Sequence, residues 1–457
     1  MRVIVVGGGI TGLACAYRLR DAHDVAVLEA SQRVGGNITT LRKDGFVIDG
    51  GPDSWVASKP HATRLAKDVG LGEQLIGTRP ETRRVYVAHK GKLRPLPEGL
   101  VLGIPSRVMP MLKTSLFSPL GKLRMGLEPL VRRRPDTDDE SVQDFFVRRL
   151  GSEAADRLAG PLLGGIFAGD ASKLSVRAAF PQLLEWEKQY GSLVLAMRAA
   201  NKQARVANAG GPPKSAFLSL RDGIAKLPEA VARALGDRVR TAAAVRSLCR
   251  DADRWRVTLV SGEELVADRV VLATPQRALP DIVRALDAEL AREVEQIRIG
   301  SSATVFFAYR RLQIAHALDA VGFIVPRAEN TRVLASTWVS SKWPNRAPEG
   351  HALIRAFFGG IGHEEILEQS DAELVAIALE ELPKLMGAFL GEPLFTRVFR
   401  WTKASPQPEV GHLELMKRVH QRVGAHPGLF IAGNGYDGNG IPDCIKQGEQ
   451  AAKDCAG

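Results

Sequence analysis

The sequence predicts an α/β fold, on three observations. At the beginning, an apolar strand at 1–6, a glycine turn, a helix at 13–21 and a second strand at 23–29 form a βαβ unit. At the end, a strand, a glycine-rich turn and a helix follow one another between 428 and 452. Between these ends lie a helical pattern, from about 106 to 205, and a region of strand-like runs.

The intervening elements are predicted from apolar periodicity and turn residues. Ser141 is the expected N-cap of one helix, Gly151 its stop, and the Gly-Gly-Pro-Pro cluster at 210–213 a domain-crossing linker. A further helix is expected at 371–389. The strands expected after the linker are 242–246, 255–259, 269–273 and then, in an antiparallel sheet, 304–310, 323–326, 332–339 and 351–358.

The composition is that of a globular protein with a sizeable core. The 457 residues are 45% hydrophobic and 25% charged, and they suffice for two or three domains. The four cysteines form no C-x-x-C and the nine histidines show no ligand spacing, so we expect neither disulfides nor a metal site.

The uncharged stretch at 3–17 could pass for a signal peptide, but its three consecutive glycines would break the apolar helix that such a peptide needs. Elsewhere no uncharged run approaches the roughly 18 residues that span a bilayer. We therefore expect a cytoplasmic protein.

Most of the net charge of +11 lies in one segment. The residues from Arg83 to Arg134, which we call the basic segment, include twelve basic and two acidic side chains, interleaved with apolar ones. Three interpretations stay open: a solvated face, a site for a polyanionic substrate, and a surface for peripheral membrane contact at the inner face of a membrane. No nucleic-acid-binding pattern accompanies the charge.

The first chemical motif is V-V-G-G-G-I-T-G-L, which places Gly7, Gly9 and Gly12 in G-x-G-x-x-G register. Glycine allows the tight turn and the close approach to a pyrophosphate, and the N-terminus of the following helix favours the negative charge. Glu29, at the end of the next strand, can accept hydrogen bonds from a ribose. These features predict a Rossmann-type dinucleotide site that disfavours the 2′-phosphate of NADP.

Two further loops favour FAD over NAD. The motif E-A-S-Q-R-V-G-G-N-I adds Arg33, which can bind phosphate oxygens as a fork, and the pair Gly35 and Gly36. The run F-V-I-D-G-G-P-D-S at 46–54 adds another glycine pair. Repeated close-approach loops suit a long cofactor that lies extended through its domain.

The C-terminal motif G-N-G-Y-D-G-N-G-I-P-D predicts a glycine turn that enters a helix near Pro442. The N-terminus of this helix would face the N1/O2 edge of a flavin and stabilise the anionic reduced form. Because the turn at 433–440 contains neither Cys nor His, we expect the FAD to be non-covalent.

Over nearly the whole chain, the sequence resembles the FAD-dependent protoporphyrinogen IX and coproporphyrinogen III oxidases of haem biosynthesis. The resemblance is carried by VVGGGITGL, LEASQRVGGN, FAGDASKLSVRAAFP, VPRAEN, RWTKASPQPEVGH and GNGYDGNGIPDCI. It implies a split Rossmann-type FAD-binding domain (1–80, 212–290 and 413–457), a mixed-sheet substrate domain (81–105 and 291–412) and a helical insertion (106–211) that in relatives is associated with membrane contact.

The resemblance and the motifs together give candidate residues. The cofactor candidates are Gly7, Gly9, Ile10, Thr11, Gly12, Glu29, Ala30, Arg33, Gly35, Gly36, Asn37, Gly51, Pro52, Asp53, Ser54, Val245, Trp401, Gly433, Asn434, Gly440, Ile441 and Pro442. The substrate candidates are Arg83, as a propionate partner, and Phe167, Ala168, Gly169 and Ile324, as the lining of the pocket. The neighbouring Arg84 leaves the choice of carboxylate partner open.

The implied reaction removes six electrons from a porphyrinogen in three flavin cycles, with O2 as acceptor, and needs no particular catalytic acid or base. Coproporphyrinogen, with four propionates, is slightly favoured over protoporphyrinogen. Rival interpretations are an amine oxidase or carotenoid desaturase of the same fold and a non-catalytic flavin-binding protein. A homodimer stays open.

Overall fold

The computed structural model describes residues 1–134, 138–167, 169–207 and 215–457. The chain forms two compact units: unit 1 comprises Met1–Gly77, Ala216–Ile299 and His412–Gly457, and unit 2 comprises Thr78–Ser215 and Gly300–Gly411. Helices and strands mix in both units, so the predicted α/β class is confirmed. The predicted linker at 210–213 lies outside the described residues.

The strands of the described residues are β1 (Arg2–Val6), β2 (Asp24–Leu28), β3 (Thr40–Lys43), β4 (Phe46–Asp49), β5 (Trp55–Val56), β6 (Leu75–Gly77), β7 (Tyr86–His89), β8 (Lys92–Pro95), β9 (Leu100–Val101), β10 (Ile104–Pro105), β11 (Phe217–Leu220), β12 (Val239–Arg240), β13 (Val245–Asp251), β14 (Arg254–Leu259), β15 (Glu264–Ala267), β16 (Arg269–Leu272), β17 (Ile299–Arg310), β18 (Gly322–Ile324), β19 (Ala335–Trp338), β20 (His351–Gly359), β21 (Phe395–Pro406) and β22 (Leu429–Ile431).

The α-helices are α1 (Ile10–Leu19), α2 (Pro60–Asp68), α3 (Val108–Lys113), α4 (Pro119–Gly126), α5 (Val142–Leu150), α6 (Ser152–Ala154), α7 (Gly165–Phe167), α8 (Val176–Ala179), α9 (Pro181–Tyr190), α10 (Leu193–Ala207), α11 (Lys226–Leu235), α12 (Leu279–Val283), α13 (Ala288–Glu295), α14 (Val339–Lys342), α15 (Asp371–Met386), α16 (His412–Gly424) and α17 (Ile441–Ala456). A π-helical stretch, Ala155–Gly164, joins α6 to α7, and short 3₁₀ turns connect other elements.

Unit 1 is organised around a five-stranded parallel sheet in the order β12-β2-β1-β16-β22. Its central strand is buried on both faces, as parallel strands usually are. Val3 and Val5 of β1 pack into a core with α1, α11 and α17, whereas Ile4 and Val6 pack into a second core with the antiparallel sheet β13-β14-β15. The two ends of the chain therefore share one sheet.

Several boundaries expected from the sequence differ from those observed, and two of these differences have a local structural reason. Helix α1 begins at Ile10 rather than at 13, because the backbone of Gly9 is extended (φ −69°, ψ 171°) and the last glycine of the motif already lies in the first helical turn. The strand expected at 242–246 begins only at Val245. Ala242 has a left-handed backbone (φ 52°) and donates its N–H to Ser31 O, which lies just after β2 in the sequence. Residues 242–244 therefore lie beside the loop that follows β2 and do not belong to the strand.

Unit 2 contains a seven-stranded sheet in the order β21-β17-β20-β19-β18-β7-β8. The four strands predicted to be antiparallel, β17 to β20, do pair in that way. Strand β7 runs parallel to β18, which makes the sheet mixed. Helix α15 packs on this sheet through Leu374, Ala378 and Leu382.

The predicted helical region forms α3 to α10 within unit 2. The predicted cap of α5 is confirmed, because Ser141 Oγ accepts the N–H of Asp144 at 3.0 Å, and the helix ends at Gly151 (φ 93°). Arg149 of the same helix is fully buried and forms an ion pair with the equally buried Glu128. Glu128 also accepts the N–H of Leu193 at 2.9 Å. Such a pair is tolerated because further hydrogen bonds support it: the two Nη atoms of Arg149 also donate to Val131 O and Gly191 O, although its buried Nε has no partner among the described residues. Within the described residues, no helix has the length and apolar character needed to cross a membrane.

Helices α1, α2 and α17 are joined by ion pairs around one carboxylate. Glu449 of α17 accepts hydrogen bonds from Arg18 (2.6 Å), from Arg64 (2.9 Å) and from His61 Nδ1 (2.7 Å). Burial works to raise the pKa of Glu449, but the hydrogen bonds from His61 and Arg18 and the charges of Arg18 and Arg64 hold that pKa below its ordinary value. Glu449 therefore remains ionised and fixes the three helices together.

We expect Glu449→Gln to lower the free energy of unfolding by about 1–3 kcal/mol at pH 7, the range of hydrogen bonds to charged groups. Because the folded-state pKa is lowered, this contribution is present above the unfolded value of about 4.3 and is lost as the pH falls through the folded-state pKa. Urea denaturation of both proteins from pH 7 down to pH 3 measures the difference. Glu289→Gln, in an exposed pair with Arg292, is the matched control. An undiminished difference at pH 3 would contradict the assignment.

Candidate functional site

The carboxyl ends of the parallel strands of unit 1 meet at one edge. Gly7 follows β1 and donates its N–H to Leu28 O, the end of β2, at 2.8 Å. A Cβ on Gly7 would lie 2.4 Å from Ala273 O, directly after β16. A Cβ on Gly433, after β22, would lie 4.0 Å from Thr274 O. The ligands of open parallel sheets bind outside this kind of edge.

The glycines of the first motif have different roles. Gly7 has φ 114°, and a Cβ on Gly12 would lie 2.0 Å from Gly7 O, so the turn is closed by backbone contact. A Cβ on Gly9, in contrast, meets nothing within 4 Å, and no side chain caps the N-terminus of α1. The helix terminus therefore opens on free space beside a tight turn. This geometry fits the diphosphate of a dinucleotide.

Glu29 is held at the edge by backbone and side-chain donors. Its Oε2 accepts the N–H of Gly8 at 2.7 Å, and its Oε1 accepts the N–H and the hydroxyl of Ser31 at 2.8 and 2.7 Å. A carboxylate has about four acceptor positions, so acceptor capacity remains for a ribose hydroxyl. Neither Gly8 nor Ser31 was predicted from the sequence. The available signal for Gly8 was that it is the middle one of three consecutive glycines, although the G-x-G-x-x-G motif accepts any residue at that position.

The second loop, which contains Arg33 and the pair Gly35 and Gly36, packs against the first glycine turn. Gly35 donates its N–H to Gly8 O at 2.8 Å, which brings this loop against the first turn. The guanidinium of Arg33 donates to the carbonyls of Gly36 (2.8 Å), Val34 (3.2 Å) and Ile38 (3.3 Å). In this structure Arg33 therefore shapes its own loop, and its role as a phosphate fork stays a prediction.

The remaining candidates of unit 1 flank this edge. Asp53 O accepts the hydroxyl of Ser219 at 2.7 Å, which fixes the loop between β4 and β5 that also contains Gly51, Pro52 and Ser54. Val245 begins β13, two residues after Ala243, whose N–H donates to Glu29 O at 2.8 Å. Ile10 and Thr11 are buried in α1, whereas Ala30 is exposed and Asn37 is half-buried.

The C-terminal turn is shaped by Gln447 of α17. Its Oε1 accepts the N–H of Gly433 at 3.0 Å, and its Nε2 donates to Gly438 O at 3.4 Å. Gly440 is the N-cap of α17 without a side-chain cap of its own, and Ile441 and Pro442 form the first turn. Helix α17 lies directly on α1, since a Cβ on Gly448 would lie 2.2 Å from Thr11 O. Gln447 and Gly448 were also missed, because a helical Gln or Gly carries no distinctive pattern.

The substrate candidates lie in unit 2. Phe167 stacks edge-on against Phe180 (centroids 5.7 Å apart), and Phe167 and Ile324 both pack against the core that contains Val87 of β7. A Cβ on Gly169 would lie 2.1 Å from Oε1 of Gln407, so a side chain there would require Gln407 to move. Arg83 is exposed, three residues before β7, and Ala168 lies outside the described residues.

Trp401 belongs to β21 of unit 2, unlike the other cofactor candidates, which lie in unit 1. Its ring stacks on Phe399 with the centroids 6.5 Å apart and the planes at 6°. Its assignment to the cofactor stays a prediction.

Comparison with known proteins decides the family. The model of the flavin-containing amine oxidoreductases matches residues 10–456. The chain belongs to this family. The predicted FAD is thereby confirmed, and the space at the glycine turn fits it.

Several named proteins are similar to the chain over most of their length. The coproporphyrinogen III oxidase of Bacillus subtilis (strain 168) is 35% identical over 99% of this chain and 97% of its own. The chloroplastic protoporphyrinogen oxidase of Oryza sativa subsp. japonica is 33% identical over 98% of this chain and 87% of its own. A crystal structure from Exiguobacterium sp. 255-15, provisionally named a protoporphyrinogen oxidase, has a TM-score of 0.88 at 33% identity and covers 99% of this chain and 98% of that one.

We expect Glu29→Gln to weaken FAD binding about tenfold or more, because an amide loses the charge-assisted hydrogen bond to the ribose. Fluorescence titration of the deflavinated protein with FAD measures the dissociation constant, and circular dichroism checks that the fold is retained. Glu295→Gln, in an exposed pair with Arg284, is the control and should bind FAD like the wild type. An unchanged dissociation constant in Glu29→Gln would remove Glu29 from the cofactor site.

Proposed function

We propose that the chain oxidises a porphyrinogen to the porphyrin in haem biosynthesis, with FAD as oxidant and O2 as the final acceptor. The observation that carries this proposal is the full-length likeness to proteins named coproporphyrinogen III oxidase. We favour coproporphyrinogen III as substrate, because it has four propionates and the basic segment supplies cations for them.

The side chains of the candidate substrate residues suit this assignment. Phe167 and Ile324 give an apolar wall for a macrocycle, and Arg83 gives a cation for a propionate. When bound, FAD accepts a hydride from the substrate in each cycle, so the protein has to hold, orient and shield the substrate rather than supply an acid and a base. The glycine turns and the N-terminus of α17 would hold the non-covalent flavin.

Anaerobic and aerobic assays with purified protein test the function. Under nitrogen, coproporphyrinogen III should bleach the flavin absorbance, and admission of air should restore the absorbance and yield coproporphyrin. Protoporphyrinogen IX tests the choice between the two porphyrinogens. Bleaching by an amine such as putrescine, with none by either porphyrinogen, would favour the amine oxidase instead. Bleaching by no compound would favour the non-catalytic flavoprotein.

We expect Arg83→Ala to raise the KM for the porphyrinogen on the order of tenfold, the effect of losing a charge-assisted hydrogen bond. The kcat should change less, because a remote carboxylate contact is present in the ground state and the transition state alike. Steady-state kinetics measure both constants. Arg94→Ala, an exposed cation of the same segment, is the control, and Arg84→Ala tests the neighbouring cation. Equal KM values in all three variants and the wild type would make these arginines a solvated face.

We further propose that the basic segment contacts an anionic membrane surface. Its helices α3 and α4 and the turn after them expose large apolar side chains that alternate with cations. These side chains are Val108, Met109, Leu112, Leu120, Leu123, Leu127 and Leu130. Leu120 and Leu130 are 77% and 78% exposed. Exposed apolar residues among basic ones fit the boundary between headgroups and acyl chains.

We expect the double variant Leu120→Asp/Leu130→Asp to lose binding to vesicles that contain anionic phospholipid, because buried apolar area is lost and acidic charge is added. Vesicle co-sedimentation measures binding. Leu312→Asp is the control, since Leu312 is 93% exposed and lies outside the segment. If the double variant changes the sedimentation coefficient of the lipid-free protein while vesicle binding persists, the surface is a dimer interface instead.

A further inference from the structure

Helix α16 contacts the turn at 433–440 through two histidine side chains, neither of which has been assigned a role in the reaction. His412, at the start of α16, is buried, and its Nε2 donates to Tyr436 O at 3.1 Å. His420, two turns further along, places Nε2 3.1 Å from Oδ2 of Asp437 and 3.3 Å from Oδ1. Two histidines of one helix therefore contact two consecutive residues of the turn.

Helix α16 is itself fixed in position by ion pairs to α13 and by packing into a hydrophobic core. Arg418 pairs with Glu293 of α13 at 3.0 Å, and Arg422 pairs with Asp287, the N-cap of α13, at 2.6 Å. The opposite face of α16 buries Leu415, Met416 and Val419 in the core beneath the parallel sheet. A contact from this helix can therefore fix the position of a loop, because the helix itself is held at several points.

We infer that His412 and His420 are positioning residues that hold the 433–440 turn in its flavin-binding conformation, and that protonation of His420 strengthens FAD retention. The inference rests on the placement of the flavin proposed above. When His420 is protonated, an imidazolium–carboxylate pair holds Asp437. When it is neutral, only a weaker hydrogen bond remains. The inference requires that the pair is formed more fully in the loaded protein, because only then does FAD affinity depend on pH.

The charges around the pair support this direction. The hydrogen bond to Asp437 raises the pKa of His420, although burial opposes the shift. The hydrogen bond from His420 lowers the pKa of Asp437 against burial, and the charges of His412 and of Lys446 on α17 add to that effect. The neighbouring cations of α16 are already paired with Glu414, Glu293 and Asp287. His420, whose pKa is raised from its ordinary value, is therefore the titratable histidine in direct contact with Asp437.

The sign of the pH dependence follows. A histidine whose pKa is raised by its partner contributes fully below its unpaired value of about 6.5, and the contribution is lost as the pH rises through the raised pKa. FAD should therefore bind more weakly at pH 9 than at pH 6. Because the pair is partly exposed to solvent, we expect a step of about two- to fivefold in the dissociation constant.

The experiment measures the FAD dissociation constant from pH 5.5 to 9.5 by fluorescence of the released flavin. His420→Gln keeps a hydrogen-bond donor but cannot be protonated, so it should bind with the weaker, high-pH affinity throughout. His420→Arg stays charged and should restore tight binding without the step. Asp437→Asn should behave like His420→Gln, and the double variant His420→Gln/Asp437→Asn should be no weaker than either single variant.

His426→Gln is the matched control, since His426 forms a comparable pair with Asp287, 3.0 Å away at α13 rather than at the turn. It should keep the wild-type step. The inference is overturned if His420→Gln keeps that step, or if His426→Gln abolishes it. Gly440→Val separates this result from a failure of the flavin placement: it should weaken FAD retention whether or not His420 takes part. If neither Gly440→Val nor His420→Gln affects FAD, the flavin does not lie at this turn.

Discussion

Backbone contacts that leave no room for a Cβ determine the candidate cofactor site. Gly12 packs on the carbonyl of Gly7, and Gly7 packs on that of Ala273, so β1, α1 and β16 approach one another more closely than side chains would permit. Gly448 brings α17 against Thr11 in the same way. Helix α17, which is far away in the sequence, is thereby placed beside the first glycine turn. The candidate cofactor site depends on this close packing of strands and helices. Most of the groups that it offers to a ligand are backbone N–H groups, and only the packing of the chain fixes their positions.

The parts of the fold that follow local rules were predictable. The glycine fingerprint with Glu29 predicted the βαβ unit, Ser141 and Gly151 predicted the limits of α5, and alternating apolar runs predicted four strands of the mixed sheet. These features depend on residues within one turn or one strand, so a single sequence contains the whole signal. The start of α1 was not predicted, because the backbone becomes helical directly after the extended Gly9, and a run of three glycines does not show which of them is extended.

The rest of the site depends on partners that are distant in the sequence. Arg33 looked like a phosphate ligand because a guanidinium suits that role, yet three carbonyls of its own loop compete for it in the structure. Gly8, Ser31, Gln447 and Gly448 escaped attention, because their contacts join residues that only the folded chain brings together. No local pattern distinguishes a glutamine that shapes a turn from one that faces solvent.

The ion pairs that join α1 and α17 do not lie at the N-terminus of α1, and this placement has a physical reason. Helices α1 and α17 both begin at this edge, at Gly9 and Gly440, whose own side chains cannot cap them, although Asp443 in the first turn of α17 accepts the N–H of Gly440 at 3.3 Å. A Ser or Asp in those positions would stabilise each helix by about 1 kcal/mol, but its oxygen would occupy the N–H groups that a phosphate or a reduced flavin needs. The ion pairs of Glu449 join the same helices away from these termini. The ion pairs of Glu449 thus lie away from the N-terminus of α1, which leaves that helix end open to a phosphate, whereas at the N-terminus of α17 Asp443 pairs with Lys59 at 2.7 Å.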